Sequence, residues 1–281
     1  MRAVVVTGAS SGIGAATALL LAQRGLLTFA GVRTEEAARA AAARHENIRP
    51  LILDVTDGIS IADAVKTIEG VDVPLAAVVN NAGIAVAGPL EFVPLVDLRM
   101  QYEVNVVGPI AVMQAFLPRL RADRGRLVFV GSISGRFAVP FIAPYSSSKF
   151  ALRALVDALR IELAPSLVDV SLIEPGSVNT PIWRKGRETY LPRWDALPGD
   201  ANPIYGSAMQ AVLRQSEREE RGGIPPERVA SAIAEAVLSA HPKAHYMVGT
   251  PARMASLLVT LLPARLHDRF IRKAMRLPEP K

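Results

Sequence analysis

"VTGASSGIGAA", Val6 to Ala16, follows a β-branched run and places Gly8, Gly12 and Gly14 where a strand gives way to a helix. Without a Cβ the backbone can turn sharply, approach a pyrophosphate and pack the following helix closely on a sheet. The N-terminus of that helix then offers free N–H groups and a positive dipole to an anion. An NTPase-type phosphate loop needs Gly-Lys-Ser/Thr after the turn, and Ala15 after Gly14 excludes it. The spacing G-x-x-x-G-x-G also departs from the commoner dinucleotide fingerprint G-x-G-x-x-G. Taken alone, the turn is also readable as tight packing of a helix on a strand.

Outward from this turn, short apolar runs alternate with longer stretches of helical period. "AVVVT" (Ala3 to Thr7), "LTFAGV" (Leu27 to Val32), "IRPLILD" (Ile48 to Asp54), "LAAVVN" (Leu75 to Asn80), "RLVFVG" (Arg126 to Gly131) and "VDVSLIE" (Val168 to Glu174) are continuous rather than alternating. Such strands are covered on both faces, as parallel strands are. Between them the pattern predicts helices at about 12–23, 34–45, 57–69, 100–121 and 145–164, with Gly25 stopping the first. The fold class that follows is α/β: a doubly wound parallel sheet of Rossmann type, in three α/β/α layers, built as a single domain. After Glu174 the pattern loosens into a segment rich in Pro, Gly, Trp and Arg up to about Pro203, and loops that long are functional lids or disordered.

Composition narrows the class further. Half of the 281 residues are hydrophobic and 21% are charged, the balance of a well-packed protein. There is no cysteine, which excludes disulfides, thiolate metal sites and thiol nucleophiles. The start of the chain lacks a secretory h-region, and no stretch reaches the roughly 20 apolar residues of a membrane span, so a cytoplasmic protein is expected. The net charge is +6, but Pro251 to Lys281 carries seven Lys or Arg against Asp268 and Glu279. That tail holds +5 of the total, which leaves the body near neutral and gives no support to nucleic-acid binding.

A second motif bears on chemistry. "PYSSSKFAL" puts Tyr145 and Lys149 on one face of a helix, one turn apart. A free phenol with a pKa near 10 exchanges protons poorly at neutral pH, and an adjacent cation is expected to favour its phenolate. With "TGASSGIG" (Thr7 to Gly14), "NNAG" (Asn80 to Gly83), "YSSSK" (Tyr145 to Lys149) and "PGSVNT" (Pro175 to Thr180) in this order, the sequence resembles the short-chain dehydrogenase/reductase family. "IEPGSVNTPIW" looks most like its steroid and retinol dehydrogenase branch. The likeness is close from about Arg2 to Thr180 and loose beyond.

The resemblance implies a nicotinamide cofactor and a set of site residues. Tyr145 would give a proton to a substrate carbonyl or take one from the alcohol, with Lys149 holding the nicotinamide ribose. Ser132 in "VGSISG" would stabilise the developing alkoxide, with Ser134 as its rival, and Asn105 in "YEVNVVG" would hold a water for the proton relay. Around the cofactor it places Gly8, Ser10, Ser11, Gly12, Ile13 and Gly14, the adenine-contacting pair Asp54 and Val55, Asn81, Ala82 and Gly83, and Pro175, Gly176, Val178 and Thr180. At the end of the second strand Val32 stands where an NAD-selecting acid would lie, and Arg33 follows it, which favours NADP(H) over NAD(H). The second basic position sometimes found inside the turn is Ser11.

On the substrate side, the residues after Thr180 would form a lid at about 177–218, where Ile182, Trp183, Leu191 and Trp194 suit a large apolar substrate. The tail at about 252–281 places Leu266, Phe270, Ala274 and Leu277 on one helical face, with Arg265, Arg269, Arg272 and Arg276 on another. It would cover the pocket or a partner subunit, or lie on an anionic membrane surface. His241 and His245 are four apart, but Pro242 breaks the helix between them, and no metal is expected. The reading is an NADP(H)-dependent oxidoreductase of a lipophilic alcohol and its carbonyl, expected as a homodimer or homotetramer. The alternatives are a non-catalytic cofactor-sensing protein and a reductase of smaller polar carbonyls.

Overall fold

The structure, a computed structural model, describes residues 1–195, 199, 201–249 and 262–277. Its sheet has seven strands: β1 (Ala3–Val6), β2 (Leu27–Val32), β3 (Ile48–Ile52), β4 (Leu75–Asn80), β5 (Arg126–Val130), β6 (Asp169–Pro175) and β7 (His245–Val248). All neighbours are parallel, in the order β3-β2-β1-β4-β5-β6-β7. The helices are α1 (Gly12–Gln23), α2 (Glu35–Ala42), α3 (Gly58–Glu69), α4 (Leu95–Tyr102) and α5 (Gly108–Asp123). They continue with α6 (Ala143–Glu162), α7 (Ile182–Asp195), α8 (Ala201–Gly222), α9 (Pro226–Leu238) and α10 (Ala264–Met275).

The unbroken apolar strands have cores on both sides. Val4 and Val6 of β1 point into one cluster with Leu21 of α1, Ala41 of α2 and Ile233 of α9. Ala3 and Val5 point the other way, onto Ile61 of α3, Phe116 of α5 and Leu152 of α6. Period-2 geometry makes this division obligatory, because successive side chains leave opposite faces of the pleat. Local chemistry sets the helix ends. Thr34 and Asp57 cap α2 and α3 by accepting from the N–H groups of Ala37 and Ile59. Gly25, at φ +83°, ends α1 with its N–H on Ala22 O and that of Leu26 on Leu21 O.

Three expectations change. The single helix expected over 100–121 is α4, then a π-helical turn at Glu103–Val107, then α5. The described part of the loosely patterned segment after Pro175 is largely helical, in α7 and α8, because one face of α8 buries Met209 and Val212. β7 adds a seventh strand, pairing with β6 through Leu172 and His245. Since β1 pairs with β2 on one side and β4 on the other, the strand order reverses beside it. A crevice opens at the carboxyl ends of β1 and β4 at such a switch point.

Candidate active site

The crevice is built by pinning the turn after β1 to the turn after β4. Thr7 Oγ1 accepts from the N–H groups of Asn81 and Ala82, both at 3.0 Å. Asn81 Nδ2 donates back to Thr7 O at 2.9 Å and Gly8 O at 3.2 Å. Gly8 and Gly12 hold φ values of +65° and +55°. A Cβ on Gly14 would stand 2.3 Å from Gly8 O and 2.5 Å from Asn81 Nδ2, so no side chain fits there. From the far side Thr180, on the loop after β6, packs its Cβ 3.1 Å from where a Gly12 Cβ would be.

This cradle fits a dinucleotide. Ser11 precedes α1 without capping it, so the first N–H groups of the helix keep no side-chain partner. An uncapped helix start beside a glycine turn, at a switch point, suits a pyrophosphate. Gly8, Ser10, Ser11, Gly12, Ile13, Gly14 and Thr180 surround that position. Arg33 is exposed at the end of β2, where its charge helps to lower the Asp54 carboxyl. Burial acts to raise Asp54, but bonds from the N–H and hydroxyl of Thr56 outweigh it. The Val55 side chain is buried in the core beneath Gly108, so its backbone is the part left for an adenine contact. Gly83 abuts Asn105 Oδ1. Beyond β6, Gly176 donates to Val248 O, and Val178 bridges to Ile224.

One cation was not foreseen. Arg44, past the end of α2, donates to Ala9 O at 3.3 Å and Ser10 O at 3.0 Å. It brings to the glycine turn a second positive charge that Ser11 lacks, and its sequence setting, the end of an alanine-rich helix, gave no hint of that.

The chemical groups come from β5, α6 and the π-turn. Pro144 opens α6, so Tyr145 and Lys149 lie in its first turns, 7% and 5% exposed. Lys149 Nζ donates to Val130 O at 2.8 Å and lies 5.8 Å from the centre of the Tyr145 ring. Burial lowers the Lys149 ammonium to about 8. Burial also pushes the Tyr145 phenol up; a bond with Ser132 opposes the rise and the Glu219 carboxylate adds to it. Against the expectation that Lys149 favours the phenolate, the net direction for the phenol is upward, with desolvation the largest cause.

Ser132 caps a short 3-10 turn (Ile133–Gly135) by accepting from Ser134 N at 3.1 Å. Its contact with Tyr145 distinguishes it from Ser134. Asn105 is fully buried in the π-turn, with Oδ1 accepting from Ile84 N at 2.9 Å and Nδ2 donating to Ile84 O and Ser148 Oγ. Its amide is thus committed to bracing the loop after β4, and the irregular backbone of the π-turn is the part left to hold a water.

Two further groups brace the serine turn. A Cβ on Gly135 would meet Lys149 O at 2.7 Å, so the turn sits directly on α6. Next to it Arg136 makes a bidentate pair with Glu174, at 2.7 and 2.6 Å. Glu174 is fully buried, and its Oε2 also lies 3.0 Å from His245 Nδ1, whose Nε2 is 2.8 Å from Asp157 of α6. His245 is therefore engaged by two carboxylates. Over the phenol, the Trp183 ring stands edge-on to Tyr145 with centroids 5.9 Å apart. Beyond it opens a cavity lined by Phe92, Val139, Ile142, Met209, Val212 and, from α10, Met275. The side chains of Leu191 and Trp194 lie outside the described residues.

A Rossmann sheet whose switch point carries a phosphate cradle, with a serine, a tyrosine and a lysine converging beside it, defines a nucleotide-dependent oxidoreductase. Residues 2–191 match the model of the short chain dehydrogenases, and the chain belongs to that family. It is 37% identical to an NADPH-dependent 3-dehydrocapnine reductase of Ornithobacterium rhinotracheale, over 98% of both chains. It is 36% identical to retinol dehydrogenase 5 of Mus musculus, over 94% of this chain and 86% of that one. Among solved structures, a short chain dehydrogenase of Burkholderia cenocepacia in complex with NADP matches 96% of this chain and 98% of its own. The TM-score is 0.73 and the identity 26%.

Proposed function

We propose that this enzyme uses NADP(H) to interconvert a lipophilic alcohol and its carbonyl, with Tyr145 as general acid and base. The observation that supports the reading is the apolar cavity whose wall includes Trp183, the ring of which stands edge-on to Tyr145. A bound nicotinamide supplies or accepts the hydride. Tyr145 gives its proton to the oxygen of a carbonyl, Ser132 steadies that oxygen, and Lys149 orients the ribose and helps return the proton. A phenol held high by burial is a stable proton donor for reduction, which accords with the reductase named among the relatives.

The pair Arg33 and Arg44 supports NADP(H) over NAD(H), since guanidinium forks match a 2′-phosphate. The exposed Leu95, Val96 and Met100 of α4 and Phe150 and Leu155 of α6 support a homo-oligomer joined through those helices. The test is NADP+ reduction across steroid, retinoid, aliphatic and hydroxy-acid alcohols, beside Tyr145→Phe and Arg33→Ala. Turnover confined to apolar alcohols is expected. Tyr145→Phe should abolish it with cofactor binding kept, and Arg33→Ala should weaken NADPH far more than NADH. Turnover by Tyr145→Phe, or equal losses of both cofactors, would overturn the respective assignment.

A further inference from the structure

The cavity behind Trp183 is apolar except along one wall, where α8 presents Gln215, Ser216 and Glu219, and α7 presents Arg187. Gln215, Ser216 and Glu219 share one face of α8 with Met209 and Val212, as the helical period requires. The charges on this wall are unequally satisfied. Arg187 donates to Ser216 Oγ at 3.0 Å and pairs with Glu220, which Arg184 also approaches at 3.9 Å. Glu219 accepts one neutral bond, from Gln215 Nε2 at 3.0 Å, and among the described residues no cation stands within ion-pair distance of its carboxylate. The wall therefore holds one carboxyl group with a single amide for company, facing a space lined mostly by hydrocarbon.

Taking a carboxylate out of water is costly unless a charge and hydrogen bonds replace the lost hydration. A hydroxyl on the ligand would add one neutral bond, whereas an ammonium would restore both the charge and the donors. We propose that the cavity takes a lipophilic amine, with Glu219 holding its ammonium while the apolar walls hold its chain; given the alcohol and carbonyl chemistry above, the substrate is an amino alcohol or its amino ketone. The desolvation that raises Glu219 and its electrostatic reach to Tyr145 agree with this geometry. A bound cation draws Glu219 into its ionised form and offsets the charge that opposes ionisation of the phenol.

The experiment compares matched ligands in single preparations, so any general loss in a variant cancels. NADP+-linked oxidation of 2-aminododecan-3-ol and dodecan-3-ol gives one ratio of kcat/KM. Binding of n-decylammonium and decan-1-ol to the protein with NADP+, followed by tryptophan fluorescence, gives a second ratio without turnover. An ionic hydrogen bond predicts a preference for the amine of about 10- to 100-fold in both. Glu219→Gln should remove at least about 10-fold of it, and Glu219→Asp should keep part. Wild-type ratios near one, or a preference that survives Glu219→Gln, would overturn the proposal. Selective ammonium binding through Glu219 with neither alcohol oxidised would sustain the cation site and overturn the alcohol and carbonyl reading instead.

Discussion

Lys149 carries the sharpest conflict at the scale of a residue. Its ammonium is almost wholly buried and, among the described residues, hydrogen-bonded only to Val130 O, and burial brings it to about 8 from an ordinary 10.5. That depression corresponds to about 3 kcal/mol of folding free energy forgone while the group is charged in both states. Below about 8 the folded and unfolded chains both hold the proton and the cost is constant. Between about 8 and 10.5 the unfolded chain holds it and the folded chain does not, so this contribution makes stability rise with pH. Urea unfolding at pH 7.5 and 9.5 should show wild type gaining about 2 kcal/mol relative to Lys149→Met. An equal pH response in the two proteins would show that burial does not depress the ammonium. The sequence placed Tyr145 and Lys149 one turn apart, which helix geometry alone guarantees. It did not reveal the dielectric around them, because the groups that exclude water, such as Ile142 and Trp183, are set by packing.

Elements explain why the serine turn is held so firmly. β6 carries Glu174 one residue before its end, the 3-10 turn after β5 continues into Arg136, and α6 contributes Asp157 to the same network through His245. The bonds Arg136 donates to Glu174, and the carboxylate's charge, raise the guanidinium against the effect of burial. Removing one partner of such a buried pair costs about 3–5 kcal/mol, because the other is left without compensation. Glu174→Gln should lose about that much in chemical unfolding, while Glu174→Gln with Arg136→Met should lose less than the two changes summed. Strict additivity would mean the two do not act as a pair. In the sequence, Glu174 marked only a resemblance to one branch of the family, and Arg136 and His245 stood 38 and 71 residues away from it. Strands β1 to β6 were legible because each holds an apolar stretch between segments of helical period, even where polar residues interrupt it, as in β3 and β6. β7 was not, since "HYMV" begins with a polar residue and gains its place from β6.

For the whole molecule, the C-terminal helix shows how assembly reassigns a face. The amphipathic pattern put Leu266, Phe270, Ala274 and Leu277 on one face, to cover the pocket or a partner subunit or to lie on a membrane. In the structure the first three are exposed and Leu277 is half-buried. Ile271 is buried instead, and Met275 reaches the cavity. Among the described residues no helix is long and apolar enough to cross a membrane. Truncation before Pro263 should raise KM for apolar alcohols about 5-fold by removing the Met275 wall, equivalent to about 1 kcal/mol of apolar contact, and should leave KM for NADP+ nearly unchanged. An unchanged alcohol KM would show that α10 does not close the cavity, and loss of vesicle sedimentation on truncation would assign its outer face to a membrane.

The sequence by itself determined the glycine turn, the presence of six strands, the lysine one turn after the tyrosine, and through them the family. These depend on backbone conformation and on periods of two and 3.6, which a few neighbouring residues settle. Only the tertiary structure decided that Arg44 reaches the turn, that Glu174 clamps Arg136, and that Glu219 enters an apolar cavity. In "SEREERG" that last carboxylate reads like its solvated neighbours. Whether a charge meets water, a partner or hydrocarbon depends on which distant element packs against it, and that information is spread over the whole chain.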